Sequence, residues 1–133
     1  MPGAEQIRDT IRGLVAEALD RDPAEVDATR SLVTDLGAES IDFLDIQFRV
    51  EKAFGLKFHE DELWRGTLDL RDPRWVRDGR VTEEGLTALR AAQPAYPWDR
   101  FARGIAVRDL PQLLTVETIA REVERRLAAK SGS

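Results

Sequence analysis

Asp35, Leu36, Gly37, Ala38, Glu39, Ser40, Ile41 and Asp42 stand in a row, and an amphipathic pattern begins directly after them. A serine at a helix start lies where unpaired backbone N–H groups and the positive end of the helix dipole favour an anionic substituent. A phosphodiester tether on the Ser40 hydroxyl suits that position. Serine is also among the commonest helix N-caps, and capping alone explains a lone serine. The pattern that follows carries more information than the serine itself. With successive residues about 100° apart, Phe43, Ile46, Val50, Ala53 and Phe54 share one side of the helix, the core face. Ile41, Leu44 and Phe48 fall nearly opposite, flanked by Asp42, Asp45, Arg49 and Lys52. A second apolar patch beside Ser40 is either a docking surface or a face covered by another part of the chain.

Other chemistry is sparse. His59 is the single histidine, and its acidic neighbourhood gives no sign that it reaches Ser40, so a Ser-His-Asp arrangement is not supported. With no cysteine, disulfides, thiolate metal sites and a cysteine nucleophile are excluded, and any thiol chemistry needs a cofactor. The run Glu60, Asp61, Glu62 lacks calcium-loop spacing, and no metal site is expected. Asp78-Gly79 and Arg103-Gly104 are turn signals, not phosphate cradles.

The elements that must hold Ser40 follow from periodicity. Ile7, Ile11, Leu14, Val15, Ala18 and Leu19 predict a first helix from about Ala4 to Leu19. A long connection from Asp20 to Asp35 contains Pro23 and the anchors Val26, Leu32 and Val33, with one helical turn expected. Helix two is predicted from Ser40 to Phe54, with Gly55 as its stop. His59 to Leu63 can make a short third helix. The last helix is predicted from Val116 to Ala129, capped by Thr115, with Val116, Ile119, Ala120, Val123 and Leu127 inward; the tail from Lys130 to Ser133 is expected to be disordered.

The segment 64–112 holds all three tryptophans, Trp64, Trp75 and Trp98, and the single tyrosine, Tyr96. Disordered segments are poor in aromatics, and structureless loops of this length are uncommon in compact domains, so a folded segment is expected. Trp75 to Val81 reads as a tight hairpin around Asp78-Gly79. Thr82 can cap a helix through Ala92 with Leu86 and Leu89 inward. Pro94 and Pro97 break the chain, and Trp98, Phe101, Ile105, Val107 and Leu110 supply further apolar anchors.

Charge is unevenly divided along the 133 residues: the net value is −8 over 1–63, +2 over 64–112 and +1 over 113–133. The acidic first half disfavours nucleic acid as a partner and favours proteins with basic patches. The arginines of 64–112 read as solubilising charges, with contact to an anionic partner as the other reading. No run is long and apolar enough to span a membrane, and no signal-like N-terminus is seen, so a cytoplasmic location without a transmembrane segment is expected.

The stretch from Leu32 to Leu56 resembles acyl carrier proteins. In that family the segment reads Asp-Leu-Gly-Ala-Asp-Ser-Leu-Asp, and the serine carries 4′-phosphopantetheine. Here the central triplet is Glu39-Ser40-Ile41, which keeps acid, serine and aliphatic in order. The resemblance reaches back over the first helix and forward through Val50 to Leu56, resumes near Leu114, Thr115 and Val116, and leaves Trp64 to about Gln112 uncovered. It implies a mainly α fold, a bundle of three main helices plus one short helix, in a single carrier domain 1–133 with an inserted subdomain 64–112.

By the same resemblance, a phosphopantetheinyl transferase docks on helix two and transfers the cofactor from coenzyme A to the Ser40 hydroxyl. The cofactor thiol then carries an acyl group as a thioester between loading and transfer enzymes, and the chain itself is no enzyme. Asp35, Glu39, Asp42, Asp45 and Glu51 match the acidic recognition residues of the family, with Ile41, Leu44 and Phe48 as the apolar part of the docking face. Arg49 and Lys52 interrupt the acidic surface usual in fatty-acid carriers and point to dedicated partners. Some long specialised carriers resemble this plan, with an extra segment before the last helix, and serve unusual acyl chains, including those of lipopolysaccharide lipid. The expectation is a monomeric acyl carrier for specialised lipid or polyketide-type biosynthesis. A peptidyl carrier, or a non-carrier interaction domain in which Ser40 is only a helix cap, remain the alternatives.

Overall fold

The computed structural model describes residues 3–58, 71–92, 94, 96 and 98–131, with the backbone alone at Ser40, Ala92 and Ser131. The described residues include four helices, α1 (Ala4–Ala18), α2 (Ser40–Phe54), α3 (Glu83–Ala92) and α4 (Val116–Ser131). Short strands β1 (Val76–Arg77) and β2 (Arg80–Val81) form an antiparallel hairpin with Val76 opposite Val81. Tight 3-10 turns occupy Pro23–Glu25, Trp98–Phe101 and Val107–Leu113. The chain is thus mostly helical, an acyl-carrier-like bundle with extra structure before its last helix. The short helix expected at His59 to Leu63 and the aromatic Trp64 lie outside the described residues.

Helix α1 packs against both α2 and α4. Its stripe of Ile7, Ile11 and Val15 is buried, and meets Phe43, Ile46 and Val50 of α2 and Val116, Ile119, Ala120 and Val123 of α4. Each fully buried Ile or Val side chain contributes roughly 1.5–3 kcal/mol, so the eight Ile and Val residues among these ten stripe positions dominate the stability of the bundle. Val26, Leu32 and Leu36 from the long connection close the same core, with Val33 partly buried beside them. One predicted core position is corrected: Ala53 is exposed, because it lies at the edge of the stripe that Val50 and Phe54 continue, and it lines a groove beside Leu14.

Helix ends follow local chemistry. α2 stops at Gly55, whose φ of 65° is a left-handed conformation that disfavours side chains. Thr115 caps α4 by accepting the Thr118 N–H at 3.0 Å. The expected disordered tail is also corrected in part. α4 continues through Lys130 to Ser131, and the Lys130 ammonium donates to the Gly55 carbonyl at 3.2 Å, tying the end of α4 to the end of α2.

Within the extra segment, Asp78 and Gly79 both have positive φ, 54° and 75°, the geometry that a two-residue hairpin turn requires. The Thr82 hydroxyl accepts the Gly85 N–H at 3.1 Å and starts α3. A second apolar cluster forms from Val81, Leu86, Leu89, Tyr96, Ile105, Leu110 and Leu113, with Trp75, Trp98, Phe101 and Val107 partly buried against it. Burial pushes the Tyr96 hydroxyl above its ordinary pKa, and it donates to the Gln112 carbonyl at 2.9 Å. The Leu32 N–H donates to the Leu114 carbonyl at 2.9 Å, joining the end of this segment to the connection that precedes Ser40.

Candidate attachment site and docking face

The approach to Ser40 is a wound segment held by its own polar groups. Ser31 is fully buried, its hydroxyl accepting the Thr34 N–H at 3.1 Å, while the Asp35 carboxylate accepts the Ser31 N–H at 2.8 Å. The Ala38 N–H returns to the Leu32 carbonyl at 2.8 Å, and Leu36 and Ala38 bury their side chains. Between them Gly37 has φ of 74°, a conformation that explains glycine in the Asp-Leu-Gly-Ala run.

The helix itself starts differently from the capping alternative. Glu39 is the N-cap, with extended φ and ψ of −112° and 172°, and Ser40 is the first helical residue. The Asp42 carboxylate reaches back to accept the Glu39 N–H at 2.8 Å, as the third residue of a capping box does. Capping therefore belongs to Glu39 and Asp42. The reading of Ser40 as merely an N-cap is corrected, since the backbone places that function one residue earlier.

The five acidic residues matched to partner recognition differ in their surroundings. Asp35 binds the Ser31 N–H and also faces Arg100 of the extra segment, with two nitrogen-to-oxygen distances of 3.4 Å. Burial raises the Asp35 carboxyl, but the Ser31 N–H and the Arg100 guanidinium outweigh it and hold the group below the ordinary carboxylate range. Asp42 is occupied by the cap. Asp45 pairs with Arg49 at 3.0 Å, and Arg49 also binds Glu17 of α1 at 2.9 Å. Glu51 accepts the Phe58 N–H at 2.8 Å and fixes the chain after α2. Glu39 is exposed. The charge on this face is thus partly neutralised from within.

The apolar part is open. Ile41 is 72 % exposed, Leu44 59 % and Phe48 63 %, and no described part of the chain covers them. Phe48 stands between two shallow grooves of about 390 and 350 Å³, and Lys52 lines both. Large apolar side chains in a contiguous exposed row on one helix mark an interaction surface.

A family model described as a phosphopantetheine attachment site matches residues 9–69. Acyl carrier protein 3 of Ralstonia nicotianae is 38% identical over 89 residues, which cover 67% of this chain and 94% of that protein. The chain belongs to the acyl carrier protein family. This carrier is also 39% identical to the acyl carrier protein AcpXL of Rhizobium etli over 82 residues, 62% of the chain and 79% of the relative. Polyketide-8 synthase acyl carrier protein 2 of Streptomyces avermitilis is 39% identical over 56 residues, 42% of the chain and 64% of the relative. No solved structure matches.

Family membership makes the chain an acyl carrier with covalent 4′-phosphopantetheine, modified by a phosphopantetheinyl transferase and used by acyl-handling enzymes. Its relatives are carriers and not catalysts. No helix among the described residues is long and apolar enough to cross a membrane.

The residues at the start of α2 fit that cofactor. First-turn N–H groups favour the phosphodiester, whereas Glu39 and Asp42 oppose its charge. A covalent bond removes the need for net electrostatic affinity, so the acidic neighbours are tolerable, and Ile41, the next residue, is exposed.

Among the residues that sequence reasoning missed, Arg100 and Tyr96 are the main ones. Nothing local marks Arg100 as the partner of Asp35, 65 positions earlier. The Glu39-to-Asp42 spacing, by contrast, was a readable capping signal.

Proposed function

We propose that Ser40 is the attachment point of 4′-phosphopantetheine and that the carrier serves specialised lipid or polyketide-type biosynthesis. One observation carries the assignment: Ser40 is the first helical residue after a separate Glu39–Asp42 cap, and the exposed row Ile41, Leu44, Phe48 begins beside it. Capping leaves Ser40 unexplained; modification explains it. The hydroxyl is the acceptor nucleophile, and the transferase supplies the base. When attached, the cofactor supplies a flexible arm ending in a thiol that carries the acyl group as a thioester.

The chain contributes the rest. Gly37 and the Asp35–Ser31 bond shape the approach segment, and Ile41, Leu44 and Phe48 give partners an apolar grip. Internal pairing of Asp45 with Arg49, together with the exposed Lys52, leaves a less acidic face than fatty-acid carriers present, which favours dedicated partners. The name of one relative, a polyketide synthase acyl carrier protein, supports the polyketide-type part of the proposed range of pathways. Residues 64–112 form an inserted subdomain of a single cytoplasmic carrier domain, supported by their separate apolar cluster.

The test is intact mass after incubation with coenzyme A and a broad-specificity phosphopantetheinyl transferase. The expected result is one phosphopantetheine added to the parent and none to Ser40→Ala. Modification that survives Ser40→Ala would move the site elsewhere.

A further inference from the structure

The inserted segment reaches back to the turn that delivers Ser40. Arg100, in the 3-10 turn Trp98–Phe101, places its two terminal nitrogens 3.4 Å from the two Asp35 oxygens. The Asp35 carboxylate also accepts the N–H of the buried Ser31 at 2.8 Å. The turn holding Arg100 is anchored by a three-ring cluster, with Tyr96 to Trp98 centroids at 5.3 Å, Tyr96 to Phe101 at 6.2 Å and Trp98 to Phe101 at 6.5 Å. From the other side Arg21 donates to the Leu36 carbonyl at 3.3 Å. Residues 35 and 36 are thereby held between the end of α1 and the inserted segment.

We propose that Arg100 is a positioning residue for the modification of Ser40, holding Asp35 so that residues 35–39 present the serine at the angle the transferase requires. This rests on Ser40 being the attachment point. A planar guanidinium facing both oxygens restrains rotation of the carboxylate in a way that a single contact cannot. Without it, the segment samples conformers in which Ser40 is misdirected, and the transferase engages only the competent fraction. Asp35 then acts on recognition through the shape of the segment, not by touching the partner.

The experiment compares Arg100→Ala, Asp35→Asn and the double variant as substrates of one phosphopantetheinyl transferase with coenzyme A. Asparagine keeps an oxygen for the Ser31 N–H while removing the charge that faces Arg100. For a partly exposed ion pair the expected effect is a rise in KM of about three-fold with kcat unchanged, in each single variant. The double variant is expected to be no worse than either single one, and Arg100→Lys to recover part of the loss. Amide hydrogen exchange over 31–39 is expected to quicken in Arg100→Ala while that of α1 and α4 stays as in the parent.

Slower transfer in Asp35→Asn with parental rates in Arg100→Ala would mean direct docking by Asp35 and overturn the proposal. Parental exchange over 31–39 in Arg100→Ala would overturn it as well. A parent that accepts no phosphopantetheine overturns the Ser40 assignment, whereas a modified parent with an indifferent Arg100→Ala variant overturns the Arg100 role alone.

Discussion

At residue scale, the start of α2 divides two tasks that a single serine could have combined. Glu39 stands at the N-cap and Asp42 completes the capping box, while Ser40 is the first helical residue. Removing the Asp42 carboxylate leaves the Glu39 N–H without its partner, and a lost cap costs about 1 kcal/mol. Asp42→Ala is therefore expected to lower Tm measurably, and Asp42→Asn, which keeps an acceptor oxygen, to lower it less; thermal melts followed by circular dichroism check both. Equal loss in the two variants would show that charge, and not the hydrogen bond, sets the effect. Several acids read from the sequence as docking residues have internal partners as well, so substitutions at Asp42 and Glu51 change the fold and the recognition surface together.

At the scale of elements, the hairpin and α3 are locked by a close approach at Gly85. A Cβ there would lie 2.7 Å from the Trp75 carbonyl oxygen and 2.7 Å from a Val81 methyl. Alanine is the better helix former by about 1 kcal/mol, yet overpacking against a backbone atom costs about 1–3 kcal/mol, so the clash decides the sign. Gly85→Ala should destabilise the inserted segment, read as faster amide exchange in β2 and α3 than in α1. Faster exchange in neither would show that the hairpin shifts freely away from α3.

At the scale of the whole molecule, ion pairs between distant segments link its parts and make stability depend on pH. Arg8 of α1 binds Glu117 of α4 through a two-point contact, and that hydrogen bond holds the Glu117 carboxyl below its ordinary range. The Thr29 backbone N–H does the same for Asp27. Because these folded-state values lie below the unfolded ones, their contribution is complete above the ordinary carboxylate range and is lost as pH falls through the lowered values. Tm should stay level near neutrality and fall below about pH 4, the region where free carboxylates titrate. Glu117→Gln should make that acid-side fall shallower, which melts at a series of pH values would register. An identical acid-side slope in the variant would assign the loss to other carboxylates.

Much of the bundle was legible because its cues are local. Gly55 after Phe54, Thr115 before Val116, Thr82 before Glu83 and Asp78-Gly79 between two short strands each specify a boundary within a few residues, and the apolar stripes of α1, α2 and α4 specify a buried side. The Asp35-to-Asp42 run likewise carried the family resemblance from which Ser40 is proposed as the attachment point. The Arg100–Asp35 contact, the bridge from Arg49 to Glu17 of α1, and the tie of Lys130 to Gly55 were decided only in three dimensions. Helix starts, stops and faces are set by neighbours along the chain. Which charges meet depends on how separate elements pack, and no periodicity within either partner encodes it.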